Sequence, residues 1–326
     1  MSIKLSICIP TYNRGAFIEE TLESIVSQAA DAEVEIVVSD NASVDNTEEI
    51  VRKFQQRYSR IIYFKWNENM GADRNYLKAV ELAQGNYCWL MGSDDAIVPG
   101  SVERILKEIE SQHDIYLCNR TQCDRSLQPF CDEHWLKPQI GDRVFEFKES
   151  AQFAEYLDAA QSIGALFSYL SSIVVKRSSW NLVIFDESFI GTAYSHAYIL
   201  LSIIITGGVL KYIRDSLVLC RLGNDSFATE NYANRFLLDL NGYFALSKLI
   251  RDIRLRTSFF YVFEKTHPWT RFIRIKALSE DTQWSEVKSK LILFRYSYWK
   301  VLLAESFGRL VLLMPIALPF KQHHRQ

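Results

Sequence analysis

Two adjacent carboxylates, Asp94 and Asp95, follow the apolar run Tyr87-Cys88-Trp89-Leu90-Met91 after a Gly92-Ser93 spacer. Like charges held that close repel unless a cation lies between them. A hard divalent ion, Mg²⁺ or Mn²⁺, that shares its coordination sphere with diphosphate oxygens would resolve the repulsion. The competing reading is an Asp pair that caps a turn or a helix. Asp40 poses the same choice, between capping its turn and accepting hydrogen bonds from a nucleobase. Three more polar clusters end apolar runs in the same way: Thr11-Tyr12-Asn13-Arg14, Ser39-Asp40-Asn41 and the stretch from Asn67 to Asn75. One such cluster is ordinary loop composition, but four behind successive apolar runs predict a site.

The elements that would position these clusters alternate in period. Short apolar runs at 5–9, 35–38, 61–66, 87–91 and 114–118 read as strands, and helical spacing of apolar residues links them. Near-continuous apolar strands separated by helices predict an α/β domain with a mostly parallel, Rossmann-like sheet covered on both faces. Ligands of such sheets sit beyond the carboxyl ends of the strands, where the four clusters fall. Residues 119–160 read as an irregular polar excursion, 198–206 as a helix, and 210–213 and 217–220 as strands. Beyond residue 231 the pattern is helical.

The chain has 326 residues, 48% hydrophobic and 23% charged, enough to bury a large core. Its net charge of −2 argues against a nucleic-acid partner. Residues 248–326 nevertheless carry fifteen Lys and Arg against six Asp and Glu, leaving the rest of the chain at −11. Basic residues interleaved with Trp269, Trp284, Tyr296, Tyr298 and Trp299 suggest docking on an anionic membrane surface, with core packing as the alternative. The stretch from Val301 to Phe320 is interrupted by Glu305 and Arg309 and reads as an interfacial helix. The N-terminus shows no signal peptide, and the six scattered cysteines read as small core residues in a reducing compartment. The expected location is cytoplasmic, peripheral to the inner membrane.

Taken in order, Pro10-Thr11-Tyr12-Asn13-Arg14, Ser39-Asp40-Asn41-Ala42-Ser43, Asn69-Met70-Gly71-Ala72-Asp73-Arg74-Asn75 and Gly92-Ser93-Asp94-Asp95 resemble the family 2 nucleotide-sugar glycosyltransferases of the GT-A fold. The resemblance implies a glycosyltransferase domain at 1–230, with a nucleotide-binding half at 1–118 and an acceptor-side half at 119–230; it fades beyond, where helical pattern and basic charge suggest a helical, membrane-associating region at 231–326. It implies that Thr11, Tyr12, Asn13 and Arg14 line the nucleotide and that Asp40, with Asn41, meets the base. Asn69, Gly71, Arg74 and Asn75 would close over nucleotide and sugar. Asp94, beside Ser93, would touch ribose or metal, and Asp95 would be the principal ligand of Mg²⁺ or Mn²⁺. The family's extra Asp two residues before Asp94 is replaced by Gly92.

Where inverting members place a catalytic carboxylate at a helix start, this chain has His196, within Tyr194-Ser195-His196-Ala197. Imidazole can serve there as general base. Asp186 and Glu187 are fallback carboxylates. Arg221, with Asn224-Asp225-Ser226, resembles the family's late loop that closes over the diphosphate. Longer stretches, among them Phe167-Ser168-Tyr169-Leu170-Ser171-Ser172 and Ile190-Gly191-Thr192, look like the abequosyltransferases of bacterial O-antigen assembly. That likeness implies a (di)deoxyhexose donor such as CDP-abequose and an undecaprenyl-diphosphate-linked oligosaccharide acceptor. Pro10 to Gly15 is not the glycine-rich phosphate loop that a dehydrogenase or pyrophosphorylase would want. A binding or scaffold protein of the polysaccharide assembly complex is the remaining alternative.

Overall fold

The computed structural model describes residues 3–29, 33–224 and 232–313. A ten-stranded sheet organises the first of two compact units, Met1–Asp225 with Gly242–Val262. Its strands are β1 (Leu5–Thr11), β2 (Val34–Asp40), β3 (Ile61–Lys65), β4 (Tyr87–Leu90), β5 (Ala96–Ile97), β6 (Ile115–Cys123), β7 (Pro129–Glu133), β8 (Arg143–Glu146), β9 (Ile173–Lys176) and β10 (Val209–Arg221). The spatial order is β3-β2-β1-β4-β9-β6-β10-β5, with β7 on β6 and β8 on β10. Every residue of β1 and β2 is buried, as expected of central strands covered on both faces. β4 stops pairing with β1 at Cys8, so Pro10 sits past that ladder and its missing N–H costs no sheet bond there.

The first four long strands are parallel, as the alternation predicts, but β9 enters between β4 and β6 antiparallel to both. Periodicity cannot show this, because a buried strand has the same apolar run in either direction. The expected pair of strands at 210–213 and 217–220 is one irregular strand, β10. The polar excursion at 119–160 holds the end of β6, the β7 and β8 strands, and a helix with a capping box built by Glu149 and Gln152.

Helices α1 (Ile18–Val26), α2 (Thr47–Arg57), α3 (Ala72–Glu81), α4 (Ser101–Glu108), α5 (Ser150–Ala159), α6 (Arg177–Leu182) and α7 (Ser195–Ile205) complete the α/β body. Eight of the eleven α7 residues are buried, so this helix runs through the interior. The remaining helices are α8 (Tyr232–Ser247), α9 (Ile253–Thr266), α10 (Trp269–Leu278), α11 (Asp281–Leu293) and α12 (Tyr298–Leu313). The second unit is Ser226–Asn241 with Phe263–Gln326, so residues 242–262 pack with the first unit instead of forming one extension from residue 231.

Of the aromatics expected to dock on lipid, Trp284 and Tyr296 are core, and Tyr296 donates to the His267 carbonyl at 2.8 Å. Only Tyr298 and Trp299 are strongly exposed. All six cysteines are free thiols; five are buried as expected, and Cys131 is exposed.

Candidate active site

The loops after β1, β2 and β3 are tied to one another before any ligand is considered. Asn13, in a left-handed conformation at φ 50°, receives the Val44 N–H on its side-chain oxygen, while its own N–H meets the Ser43 hydroxyl. Asn41 donates to the Asn69 side chain at 2.7 Å and accepts from the Met70 N–H. Asn75 is a buried keystone: its amide donates to the Thr11 and Ser39 carbonyls, and its oxygen accepts from the Ser39 hydroxyl and the Trp66 indole. With every side-chain valence satisfied by protein, Asn75 holds three strand ends together and has none to offer a sugar.

Asp40 is likewise inward. It is fully buried, accepting from the Ser43 N–H at 2.8 Å and the Tyr63 hydroxyl at 2.6 Å. Burial and the Asp40 carboxylate push the Tyr63 phenol far up, which keeps it a donor. Asp40 therefore shapes the rim on which the expected base contact was placed. Tyr12, Asn13, Asn69, Gly71 and Arg74 are the exposed members of the predicted set, and Arg74 faces Glu187 at 3.4 Å. Thr11 is buried, and its hydroxyl has no partner. Ser93 is buried beside the Asp pair.

The two aspartates of that pair differ. One Asp95 oxygen accepts from the Tyr169 hydroxyl at 2.7 Å and the Ser171 hydroxyl at 2.5 Å, and the other accepts from the Arg221 N–H at 3.2 Å. Only 4% of the residue is exposed. Burial, followed by the neighbouring Asp94 charge, pushes the Asp95 carboxyl up to about 7. The outward carboxylate is Asp94, which receives the Asn224 amide at 2.7 Å and lies 3.7 Å from the Arg14 guanidinium. A Cβ added at Gly92 would come 2.8 Å from an Asp95 oxygen and 3.1 Å from an Asp94 oxygen. The glycine standing in place of the family's extra Asp thus leaves room for this arrangement. Asp95, expected as the principal metal ligand, is thus the enclosed member of the pair and Asp94 the more exposed one.

The Asp95 shift carries a sign that can be measured. A carboxyl whose folded pKa lies near 7, above its unfolded value near 4, adds stability below pH 4 that is lost as pH rises toward 7. Asp95→Asn is therefore expected to gain melting temperature relative to the parent as pH is raised from 5 to 8. A constant offset across that range would refute the raised pKa.

Arg221, expected to reach the diphosphate, is spent on the protein. Its Nε donates to the Asp94 carbonyl at 2.9 Å, its terminal nitrogens bond the Arg125 carbonyl and Glu20, and the side chain is 2% exposed. Around the Phe17 ring it shares space with two less enclosed guanidiniums, Arg14 and Arg125, whose carbons lie 5.8 Å and 5.9 Å from the centroid. Arg125 sits in the turn between β6 and β7, in the region read from sequence as an irregular polar excursion. Asp225 and Ser226 of the late-loop motif lie outside the described residues.

His196 occupies the second position of α7 and is 4% exposed. Its Nε2 lies 2.9 Å from the Phe167 carbonyl. A carbonyl only accepts, so Nε2 carries the proton and Nδ1 keeps the lone pair. Nδ1 is buried without a partner. Burial lowers the imidazole below its ordinary pKa, so the ring is neutral at pH 7. Asp73 determines where this helix starts, accepting from the N–H groups of Gly191, Ala193 and Ser195 at 2.8, 2.9 and 3.2 Å. Segment 167–171 joins the two parts of the site, because Phe167 holds His196 while Tyr169 and Ser171 hold Asp95. Asp73 lay inside a recognised motif, yet nothing in its spacing pointed to residues more than a hundred positions away.

Among the described residues no three His, Cys, Asp or Glu side chains cluster as a metal cage. Of the Asp pair, the more exposed Asp94 is the carboxylate open to an ion that would take its other ligands from a diphosphate and water.

The Glycosyl transferase family 2 profile matches residues 6–160. Abequosyltransferase RfbV of Salmonella typhimurium is 41% identical over 272 residues, 81% of either chain. Glycosyltransferase GlyG of Streptococcus pneumoniae is 25% identical over 77% of this chain and 81% of its own. The crystal structure of Staphylococcus aureus TarS 1–349 in complex with UDP-GlcNAc superposes with a TM-score of 0.59 at 15% identity, covering 95% of this chain and 92% of that one. The fold is thus that of the GT-A glycosyltransferases, and the chain belongs to glycosyl transferase family 2.

Proposed function

We propose that this glycosyltransferase moves a deoxy- or dideoxyhexose, with CDP-abequose as the donor to test first, onto an undecaprenyl-diphosphate-linked O-antigen oligosaccharide at the cytoplasmic face of the inner membrane. The observation that carries this reading is the 41% identity to an abequosyltransferase over four-fifths of both chains.

In this scheme Tyr12 and Asn69 border the nucleotide, while Arg14 and Arg125 offset the charge of the diphosphate as it leaves. Asp94 would hold Mg²⁺ or Mn²⁺, which when bound supplies Lewis-acid stabilisation of the leaving diphosphate. His196 Nδ1, deprotonated at neutral pH, takes the proton of the acceptor hydroxyl, and the Phe167 carbonyl keeps the ring in the required tautomer.

Purified protein is to be incubated with CDP-abequose, UDP-GlcNAc or GDP-mannose and membranes bearing the lipid-linked oligosaccharide, with nucleotide release and product mass followed together. The expected result is CDP release with a one-sugar mass gain, favouring the deoxysugar donor by ~10²-fold, the discrimination an apolar pocket achieves against an added hydroxyl. Tight donor binding without transfer from any donor would overturn the reading in favour of a scaffold.

A further inference from the structure

Seven of the exposed large hydrophobic residues lie between Ile292 and Leu310, a stretch of nineteen residues in the second unit. Their placement on α12 is one-sided. Val301, Ala304 and Gly308 are buried, and a Cβ on Gly308 would meet the Lys276 side chain of α10 at 2.7 Å, so this face is packed. Trp299, Leu303, Phe307 and Leu310 recur at spacings of four, four and three on the opposite face. Trp299 is 73% exposed, more than an indole in a soluble core or rim needs.

The charge around this stripe identifies its occupant. At 100° per residue, Lys300 and Arg309 project on the two flanks of the stripe, and exposed Arg295 sits in the left-handed turn leading into the helix. From Ile292 to the C-terminus the sequence has five Lys and Arg and a single acidic residue, Glu305. Glu305 is itself paired with Lys288 at 2.7 Å and Arg309 at 3.0 Å. A second copy docked face to face would bring basic flank against basic flank, whereas an anionic surface complements them. No helix among the described residues is long and apolar enough to cross a membrane.

We infer that the Trp299–Leu303–Phe307–Leu310 face of α12 is a docking surface for an anionic phospholipid bilayer, with the helix lying in the plane of the interface and Lys300 and Arg309 at headgroup level. A lipid-tethered acceptor must be met at a bilayer, so this surface extends the function proposed above. Vesicle binding tests it independently of which sugar is transferred.

The full chain is to be floated with vesicles of phosphatidylethanolamine and phosphatidylglycerol, or of phosphatidylcholine alone. It is expected to bind the anionic vesicles at least tenfold better. Trp299→Ser/Leu303→Ser/Phe307→Ser should lose that binding by tenfold or more, while the thermal shift with CDP stays at the parental value. Lys300→Gln/Arg309→Gln should remove the preference for anionic lipid. Should the triple variant fold poorly, the difference in quenching by brominated lipid between the parent and Trp299→Phe reports the same contact. Parental binding by the triple variant would overturn the assignment. So would failure of the parent to bind, equal quenching of parent and Trp299→Phe, or a dimer in light scattering that the triple variant disperses.

Discussion

Asp94→Ala is expected to lower kcat/KM by about 10³-fold and leave the melting temperature close to that of the parent. The magnitude is that of removing a preorganised electrostatic partner from the place where charge develops in the transition state. Stability should survive because the Asp94 side chain is 22% exposed and its partners include the Asn224 amide and a guanidinium 3.7 Å away. Asp95→Ala should behave differently. It leaves the Tyr169 and Ser171 hydroxyls and the Arg221 N–H without their buried acceptor, which costs on the order of 3 kcal/mol. Turnover and thermal unfolding measured on both variants separate a residue that serves the reaction from one that supports it. An Asp94→Ala enzyme with parental kcat/KM would remove Asp94 from the chemistry.

His196→Gln should cost 10²–10⁴-fold in kcat, the usual reach of a general base, with much less change in donor KM. Glutamine keeps polar bulk against Tyr76 and Tyr194, whose ring centroids lie 6.0 and 6.3 Å from the imidazole. The pH profile adds a second reading. A base whose pKa is depressed by burial stays deprotonated to lower pH than an ordinary histidine, so the acid limb of kcat/KM should fall below pH 6.5. In the variant that limb should disappear. Parental kcat in His196→Gln, or an unaltered acid limb, would assign the proton transfer to another group. Because Asp73 positions the start of α7 through three backbone N–H groups without touching the reacting atoms, it is a positioning residue.

Much of the first half was legible because its signals are local. Apolar runs such as Leu5–Ile9 and Glu35–Val38, each ending in a polar cluster, specify buried strands and the rim to which they point. The antiparallel insertion of β9 was not legible, since strand direction depends on the path of the intervening chain. Nor was the exposed side of α12, because Trp284 of α11 and Tyr296 just before α12 have the same aromatic and basic surroundings in sequence as Trp299 but lie in the core.

The sequence by itself determined the family, the rim of the sheet and the residue types gathered there, because these follow from short-range pattern and the order of motifs. Only the tertiary structure decided which way each polar side chain turns. Asp40, Asn75, Asp95 and Arg221 are consumed by partners across the fold, while Arg14, Asp94 and Arg125 are less enclosed. The physical reason is that a buried polar group must be satisfied, and the groups that satisfy these four come largely from elsewhere in the chain. Asp95 is capped by Tyr169 and Ser171, more than seventy positions away, and Arg221 closes on Glu20 some two hundred positions back. No local pattern can say whether such partners will arrive.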